Sequence, residues 1–332
     1  MSLIGRLLKA NPSAQVSDML TGYFVIPSAK GVFFELPASL GIFASGTLDG
    51  DIHINNIDYI NIATAGNAVD FGDMTTVRGY PAACASSTRG VFGGGLNQSG
   101  DRQNVIDYIS MASKGNAIDF GDTTRTVFLA AGLSNSTRGI FGGGFDGGDR
   151  GTIEYVTIAT TGNATDFGDL SNGRSNIASS GSTTRGVFMG GYTSTPQNTI
   201  DYITIASTGN ATNFGNTLNI ILGATGASSS TRALAMGGNH GSGVFVDTIQ
   251  YITIATTGNS TDFGDCTISF ENRGGVSSSI RGIAAGGNGS AGAETNVIEY
   301  VTIATTGNAT DFGDLTAQKS GLGGTSNCHG GL

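Results

Sequence analysis

The chain has 332 residues, of which 12% are charged and 38% hydrophobic, with 55 glycines and a net charge of -9. The acidic balance argues against nucleic acid as a partner, because phosphate binding relies on clustered lysine and arginine. Cys84, Cys266 and Cys328 form no CxxC and no disulfide framework, so we expect three ordinary thiols.

Residues 1–38 stand apart from the remainder of the chain. Arg6 interrupts their first apolar run, so they are a poor secretory signal, and no run of 18 apolar residues predicts a membrane span. They are nevertheless too apolar for a free tail, with pairs such as Leu7-Leu8 and Phe33-Phe34. We therefore predict an attachment segment that docks on its own domain or on another subunit, including a second copy of the chain.

Residues 39–332 repeat one unit. Variants of the phrase DYITIATTGNATDFGD place a phenylalanine at steps of 47 or 49 residues. The positions are Phe71, Phe120, Phe167, Phe214, Phe263 and Phe312. A period of this size is typical of solenoids, propellers and arrays.

Each unit contains four short runs that lack helical periodicity and are bounded by turn-forming residues, which predicts four strands. Gly-Asn pairs between the third and fourth runs, from Gly66-Asn67 to Gly307-Asn308, suit a type II′ turn and predict a tight hairpin. Six such units predict an all-β, six-bladed β-propeller over residues 39–332. We expect the recurring double glycines, such as Gly93-Gly94, to lie where the inner strands crowd at the axis.

The double glycine after an apolar strand, followed downstream by a tyrosine such as Tyr59 or Tyr108, resembles the blades of kelch-type propellers. Kelch blades usually also carry a tryptophan, which this chain lacks, so the resemblance concerns the architecture. The phrase YITIATTGNATDFGDL is similar to tandem repeats in structural proteins of tailed bacteriophages. That resemblance implies a virion component, made in the host cytoplasm, whose residues 1–38 bind other virion proteins.

The DFG triplet recurs without the catalytic-loop motif of a protein kinase, so we interpret it as structural, with its phenylalanine between blades. We expect the aspartates that follow to accept hydrogen bonds at a strand end or to pair with recurring arginines. The aspartates are Asp73, Asp122, Asp169, Asp265 and Asp314, and the arginines are Arg89, Arg138, Arg185, Arg232 and Arg281. One copy carries Asn213 and Asn216 instead, which favours the hydrogen-bonding role.

The segments after the double glycines differ in length and chemistry, whereas their flanking strands do not. Because they leave corresponding strand ends, we expect them to gather on one face, where a rigid scaffold presents them for recognition. The alternative is that they vary because nothing constrains them. The candidate binding residues are Asp49, Asp51, His53, Asn97, Asp146, Tyr192, His240, Phe245 and Glu294.

Neither a metal site nor a catalytic residue is assigned. Asp49, Asp51 and Asn55 alternate as in a calcium loop, but the segment lacks the terminal bidentate glutamate, which favours an acidic surface loop. The histidines are scattered, and no Ser/His/Asp order stands out. We therefore predict no cofactor.

Three functions remain open. The preferred one is a non-enzymatic virion protein, a tail, fibre or capsid-surface component, whose loops bind a host glycan, a host surface protein or another virion protein. The second is a carbohydrate-active or alcohol-oxidising propeller enzyme, and the third is a cellular kelch-like adaptor. The near-identical blades argue against a single specialised pocket.

The two ends of the repeat region predict how the ring closes. Residues 321–328 occupy the phase of a first strand, and the other strands of that unit begin at residues 41–46. We predict that these two segments pair and make one blade from both ends of the domain. The rival strand, residues 31–38, contains Pro37, which lacks a backbone donor and suits an internal ladder poorly.

Overall fold

A computed structural model describes residues 38–332, which form a ring of six antiparallel sheets, each built from four strands, with one further short strand in blade 4. The all-β, six-bladed propeller predicted from the repeat is thereby confirmed. Apart from its last residue, the predicted attachment segment 1–38 lies outside the described residues. Within residues 38–332, no helix is long and apolar enough to cross a bilayer.

The strands of the first three blades follow in chain order. Blade 1 contains β1 (Leu40–Leu48), β2 (Ile52–Asn61) and β3 (Val69–Asp73). Blade 2 contains β4 (Ala82–Ala85), β5 (Arg89–Gly93), β6 (Val105–Ser110) and β7 (Ile118–Asp122). Blade 3 contains β8 (Ala131–Ser134), β9 (Arg138–Gly142), β10 (Thr152–Thr157) and β11 (Thr165–Asp169).

The remaining strands complete the ring and return to blade 1. Blade 4 contains β12 (Ala178–Gly181), β13 (Arg185–Met189), β14 (Tyr192–Thr193), β15 (Thr195–Thr204) and β16 (Thr212–Ile221). Blade 5 contains β17 (Thr225–Ser228), β18 (Arg232–Met236), β19 (Thr248–Thr253) and β20 (Thr261–Asp265). Blade 6 contains β21 (Gly274–Ser277), β22 (Arg281–Ala285), a 3-10 turn (Ser290–Gly292), β23 (Val297–Thr302) and β24 (Thr310–Asp314), and β25 (Gly323–Ser326) is the innermost strand of blade 1.

The ring closes through β25. This strand pairs antiparallel with β1, so that Gly41 lies opposite Ser326 and Ala44 opposite Gly323. Asn327 extends the contact, because its Oδ1 accepts the Leu40 N–H at 2.8 Å. The predicted closure is confirmed, although the paired segment is shorter than residues 321–328. Because β2 covers the other edge of β1, neither edge of that strand is left open.

The hydrophobic core is divided among the six boundaries between blades. Phe71, at the end of blade 1, packs with Ala83, Phe92 and Ile109 of blade 2, and all four side chains are buried. The Tyr59 ring meets the edge of the Phe71 ring with centroids 6.0 Å apart. The equivalent phenylalanines of the other five repeats occupy the matching clusters: Phe120, Phe167, Phe214, Phe263 and Phe312.

The Gly-Asn pairs do not form the predicted tight hairpins; instead they join neighbouring blades. Gly115 N–H donates to the Phe71 carbonyl of blade 1 at 3.1 Å, and Ala117 N–H donates to the Asp73 carbonyl at 2.7 Å. The Asp73 N–H in turn donates to Asn116 Oδ1 at 3.1 Å. The same three bonds recur at all six boundaries, and we call this arrangement the Gly-Asn clasp. The hairpin prediction was wrong because the pair satisfies its backbone partners in another blade.

The axis is lined by a set of glycines other than the double glycines. A Cβ on Gly226 would lie 2.0 Å from the Ser179 carbonyl of the neighbouring inner strand, and one on Gly132 would lie 2.2 Å from that of Ala83. Side-chain hydroxyls also join inner strands, as Ser134 Oγ does when it donates to the Ala85 carbonyl at 2.8 Å. The expectation for the double glycines was wrong, because they follow the second strand of each blade.

Candidate functional site

The loop face is the end of the propeller that carries the connections between the second and third strands; the opposite end is the turn face. The connections from one blade to the next also lie on the loop face, because each pairs with one of these loops through a backbone bridge. The bridged residues are Thr47 and Ser320, Gly79 and Leu96, Phe128 and Phe145, Ser175 and Tyr192, Leu222 and Asn239, and Glu271 and Asn288. The base of every loop is therefore held by backbone hydrogen bonds.

The double glycines make these junctions possible. Gly94 has a φ of +68°, and a Cβ there would lie 2.4 Å from the Val127 carbonyl of the next connection. Gly95 then donates its N–H to that carbonyl at 2.8 Å. The repeated glycine phrase consequently fixes where each loop leaves the scaffold.

The nine candidate binding residues all lie in segments of the loop face. Asp49, Asp51 and His53 belong to blade 1 and Asn97 to blade 2. The others, in blades 3 to 6, are Asp146, Tyr192, His240, Phe245 and Glu294. Asp49, Asp51 and Tyr192 are exposed, and the remaining six are half-buried. The structure thus places them on one face.

A pair of carboxyl groups lies at the boundary between blades 6 and 1. Ser320 Oγ donates to Glu294 Oε1 at 3.1 Å, and the Asp49 carboxyl lies beside that of Glu294. Burial, followed by this acidic neighbour, raises the pKa of Glu294 to about 7. The Glu294 carboxyl is therefore able to retain its proton near neutral pH. Within residues 38–332, no three His, Cys, Asp or Glu side chains converge as a metal ion would require.

His53 joins the loops of blades 1 and 2. The His53 backbone N–H donates to Gln98 Oε1 at 2.8 Å, and Gln98 Nε2 donates to the Asp51 backbone carbonyl at 2.9 Å. His53 Nδ1 lies 2.9 Å from Thr47 Oγ1. Burial lowers the pKa of His53, and the Asp51 charge opposes that shift. The calcium-like segment is therefore a short turn between β1 and β2 together with the start of β2, and it is anchored to the neighbouring loop.

An arc of aromatic rings crosses blades 1 to 3 on the same face. His53, Tyr80, Phe128 and Phe145 contact each other edge to face, with centroids 5.8 to 6.4 Å apart. The Arg102 guanidinium lies 5.2 Å from the centroid of Phe145. All of these side chains are half-buried, so the arc offers ring surface and polar groups together.

The axial channel opens at the centre of the loop face. Its cavity has a volume of about 130 Å³ and is entered past a ring of residues with left-handed backbone conformation. These residues are Tyr80, Leu129, Asn176, Gly223, Asn272 and Gly321. Five of them donate an N–H to the carbonyl of the preceding member, as Tyr80 does to Gly321 at 2.8 Å. Backbone hydrogen bonds therefore hold the mouth, and in this ring Gly321 lies between Tyr80 and Asn272.

The remaining candidates lie further around the loop face. Asp146 accepts a hydrogen bond from Arg150 Nε at 2.5 Å and also lies 3.7 Å from Arg125. Tyr192 lies in the short strand β14, which pairs with the first residues of β15. His240 N–H donates to the Val244 carbonyl at 2.9 Å, and Phe245 bridges to Asn239.

The recurring arginines form no ion pair with the recurring aspartates. The Arg89 guanidinium lies 4.6 Å from the centroid of Tyr108 and donates to the Ile158 carbonyl of the next blade at 3.0 Å. Its counterparts make the same cation–π contacts, namely Arg138, Arg185, Arg232 and Arg281. The aspartates contribute backbone groups to the Gly-Asn clasp, and Asn216 supplies the same backbone groups in its copy.

Sequence reasoning missed a buried charge in the third strand of most blades. Arg78 pairs with Asp107 at 3.0 Å, and both side chains are fully buried. The equivalent pairs are Arg174 with Asp201 and Lys319 with Asp58. In blade 6, Glu299 instead pairs with Arg273, which stands three residues after the equivalent position, Phe270. In blade 5, Ile221 and Gln250 replace the two partners, and the Gln250 amide oxygen accepts the Leu218 N–H at 2.9 Å. A charged residue recurring in an otherwise apolar strand was the signal available in the sequence.

In comparisons with known proteins, the chain matches no protein-family model and no curated protein.

Proposed function

We propose that this protein is a non-enzymatic β-propeller of a virion, a tail, fibre or capsid-surface component, which binds its partner through the loop face. The observation that carries the proposal is the contrast between the six loops and their scaffold. The clasps, cores and backbone bridges repeat from blade to blade, whereas the loops between them differ in length and side chains. A scaffold that holds the bases of variable loops in one plane is suited to recognition.

The chemistry of the loop face favours a host glycan as the ligand. The edge-to-face rings of Tyr80, Phe128 and Phe145 present apolar surface, which suits the C–H faces of a sugar. Glu294, which lies close to Tyr80, and the adjacent Asp49 supply acceptors for sugar hydroxyl groups. The net charge of -9 disfavours a strongly acidic polysaccharide.

Two measurements test this proposal. Mass spectrometry of purified virions is expected to find the chain at a fixed copy number per particle. A glycan array probed with the full chain is expected to give signals that Phe145→Ala reduces and Ile280→Ala leaves unchanged, because Ile280 is exposed on the turn face. Absence from every particle would contradict the virion role, and equal loss of signal in both variants would contradict binding at the loop face.

The raised pKa of Glu294 favours carbohydrate hydrolysis as a second candidate function. A carboxyl group that retains its proton near pH 7 is able to act as a general acid, and Asp49 is the adjacent carboxyl group. If the protein is a hydrolase, Glu294→Gln should abolish release of reducing ends from a glycan that binds. Unchanged release would exclude Glu294 as the acid.

A further inference from the structure

The turn face of the axial channel is occupied by residues 327–332. At this end, a cavity of about 50 Å³ remains between the last residues of the inner strands and His329. A Cβ on Gly331 would lie 2.0 Å from the Ser134 carbonyl, and one on Gly330 would lie 2.3 Å from that of Ser229. Glycine at both positions lets the segment lie directly against the inner strands. We call residues 327–332 the plug.

The contacts of His329 specify one neutral tautomer. Its Nδ1 lies 3.1 Å from the Gly331 N, and that N–H is able only to donate, so Nδ1 must be unprotonated. Its Nε2 lies 3.1 Å from the Ala85 carbonyl oxygen, which is able only to accept, so Nε2 carries the proton. Ser134 Oγ, 3.2 Å from Nε2, already donates to the same carbonyl. A second proton, on Nδ1, would therefore face the Gly331 N–H and break that bond.

No group beside His329 compensates a positive charge. Among the described residues that line this end of the channel, the inner strands contribute mainly glycine, serine and small apolar side chains, and no Asp or Glu. The other titratable side chain in the lining is Cys84, and Cys328 lies next to His329 in the chain. Burial raises the pKa of both thiols, so neither supplies a negative charge.

We propose that the plug is a proton-operated closure of the axial channel, which leaves the turn face when His329 is protonated. The cavities at the two ends of the channel share the axial residues Ala83, Gly132, Ser179, Gly226, Gly275 and Gly324. Departure of the plug would consequently connect the loop face with the turn face along the axis. It would also uncover the hydroxyl groups of Ser134 and Ser326, which join neighbouring inner strands.

The direction of the pH dependence follows from burial. Burial lowers the pKa of His329 below its ordinary value of 6.5, while the hydrogen bond to Ala85 opposes the shift. The contribution of neutral His329 to docking is complete above pH 6.5 and is lost as the pH falls through the lowered pKa. Acid thus releases the plug, and neutral pH restores it.

The test uses a fluorescent reporter within the plug. The chain contains no tryptophan, so Leu332→Trp in the full chain introduces a single one at a half-buried position. As the pH falls from 8 to 5, we expect a reversible red shift of the tryptophan emission. Amide-exchange protection in the plug should fall over the same range, by about tenfold for each unit by which docking lowers the pKa of His329. The same transition in a Leu332→Trp/His329→Gln variant would overturn the proposal, because glutamine donates and accepts without titrating.

Two controls separate release of the plug from other events. His240→Gln, on the loop face, should leave the transition unchanged; its loss in that variant would overturn the assignment to His329. His329→Ala should leave the plug undocked at both pH values, and a plug that remains protected in that variant would also overturn the proposal. The near-UV circular dichroism of the tyrosines should stay constant throughout. A parallel change in this signal would overturn the proposal, because it would show that the propeller unfolds.

Discussion

Arg78 and Asp107 form an ion pair in which both side chains are fully buried, and blade 5 shows how such a pair is replaced. We expect Arg78→Ile to reduce the free energy of unfolding by about 3–5 kcal/mol, because it leaves the Asp107 carboxylate without its cation. Adding Asp107→Gln should recover most of that loss, since Ile221 and Gln250 stand at the equivalent positions. Urea unfolding measures both, and a double variant no more stable than the single one would refute the compensation.

Leu129 is strained by its position in the ring around the channel mouth. Its φ of +55° is left-handed, whereas the equivalent positions include Asn176 and Asn272, a residue type that tolerates this conformation better. Leu129→Asn should therefore raise the free energy of unfolding by about 1 kcal/mol, the scale of the left-handed penalty. Thermal melting measures the change, with Leu133→Asn in the buried core as a destabilising control. A lower melting temperature for Leu129→Asn would show that its packing outweighs its strain.

At the scale of elements, the Gly-Asn clasp depends on the glycine of the DFG triplet. A Cβ on Gly72 would lie 2.5 Å from the Gly115 carbonyl of the next blade, whereas one on Gly66 has no neighbour within 4 Å. Gly72→Ala should thus reduce the free energy of unfolding by about 1–3 kcal/mol through overpacking. Gly66→Ala should leave the free energy of unfolding nearly unchanged. Equal losses on urea unfolding would refute the contribution of the close approach at Gly72.

The clasp also shows why element-level prediction succeeded only in part. Short runs that lack helical periodicity and are bounded by turn formers indicated the strands, and the fold confirmed four per blade. The role of Asn116 was not readable in the same way, because its partner, the Asp73 N–H, lies 43 residues earlier in the chain. The same limit applied to Gly132, whose close neighbour Ala83 belongs to another blade.

At the scale of the whole molecule, stability depends on closure by β25. Deleting residues 320–332 removes the partner of β1 and leaves the edge of Gly41–Ala44 open. We expect this deletion to reduce the free energy of unfolding by several kcal/mol and to promote aggregation. Each kcal/mol lost should lower the melting temperature by about 2–4 °C. Deleting only residues 328–332 retains β25 and Asn327 and is the matched control. Calorimetry and light scattering compare the two deletion variants. The same melting temperature and the same scattering in both would refute the contribution of β25 to closure.

The sequence by itself determined the number of blades, the four strands of each and the pairing of the two ends of the domain. The period, the apolar runs and the phase of residues 321–328 are all local patterns that a reader of the chain is able to count. Tertiary structure alone decided that the Gly-Asn pairs join blades, that the arginines stack on tyrosines, that four ion pairs are buried and that His329 lies at the turn-face end of the channel. Each of these depends on which distant segments the closed ring brings together, because burial and hydrogen-bond partners are properties of the assembled blades and not of any stretch of sequence.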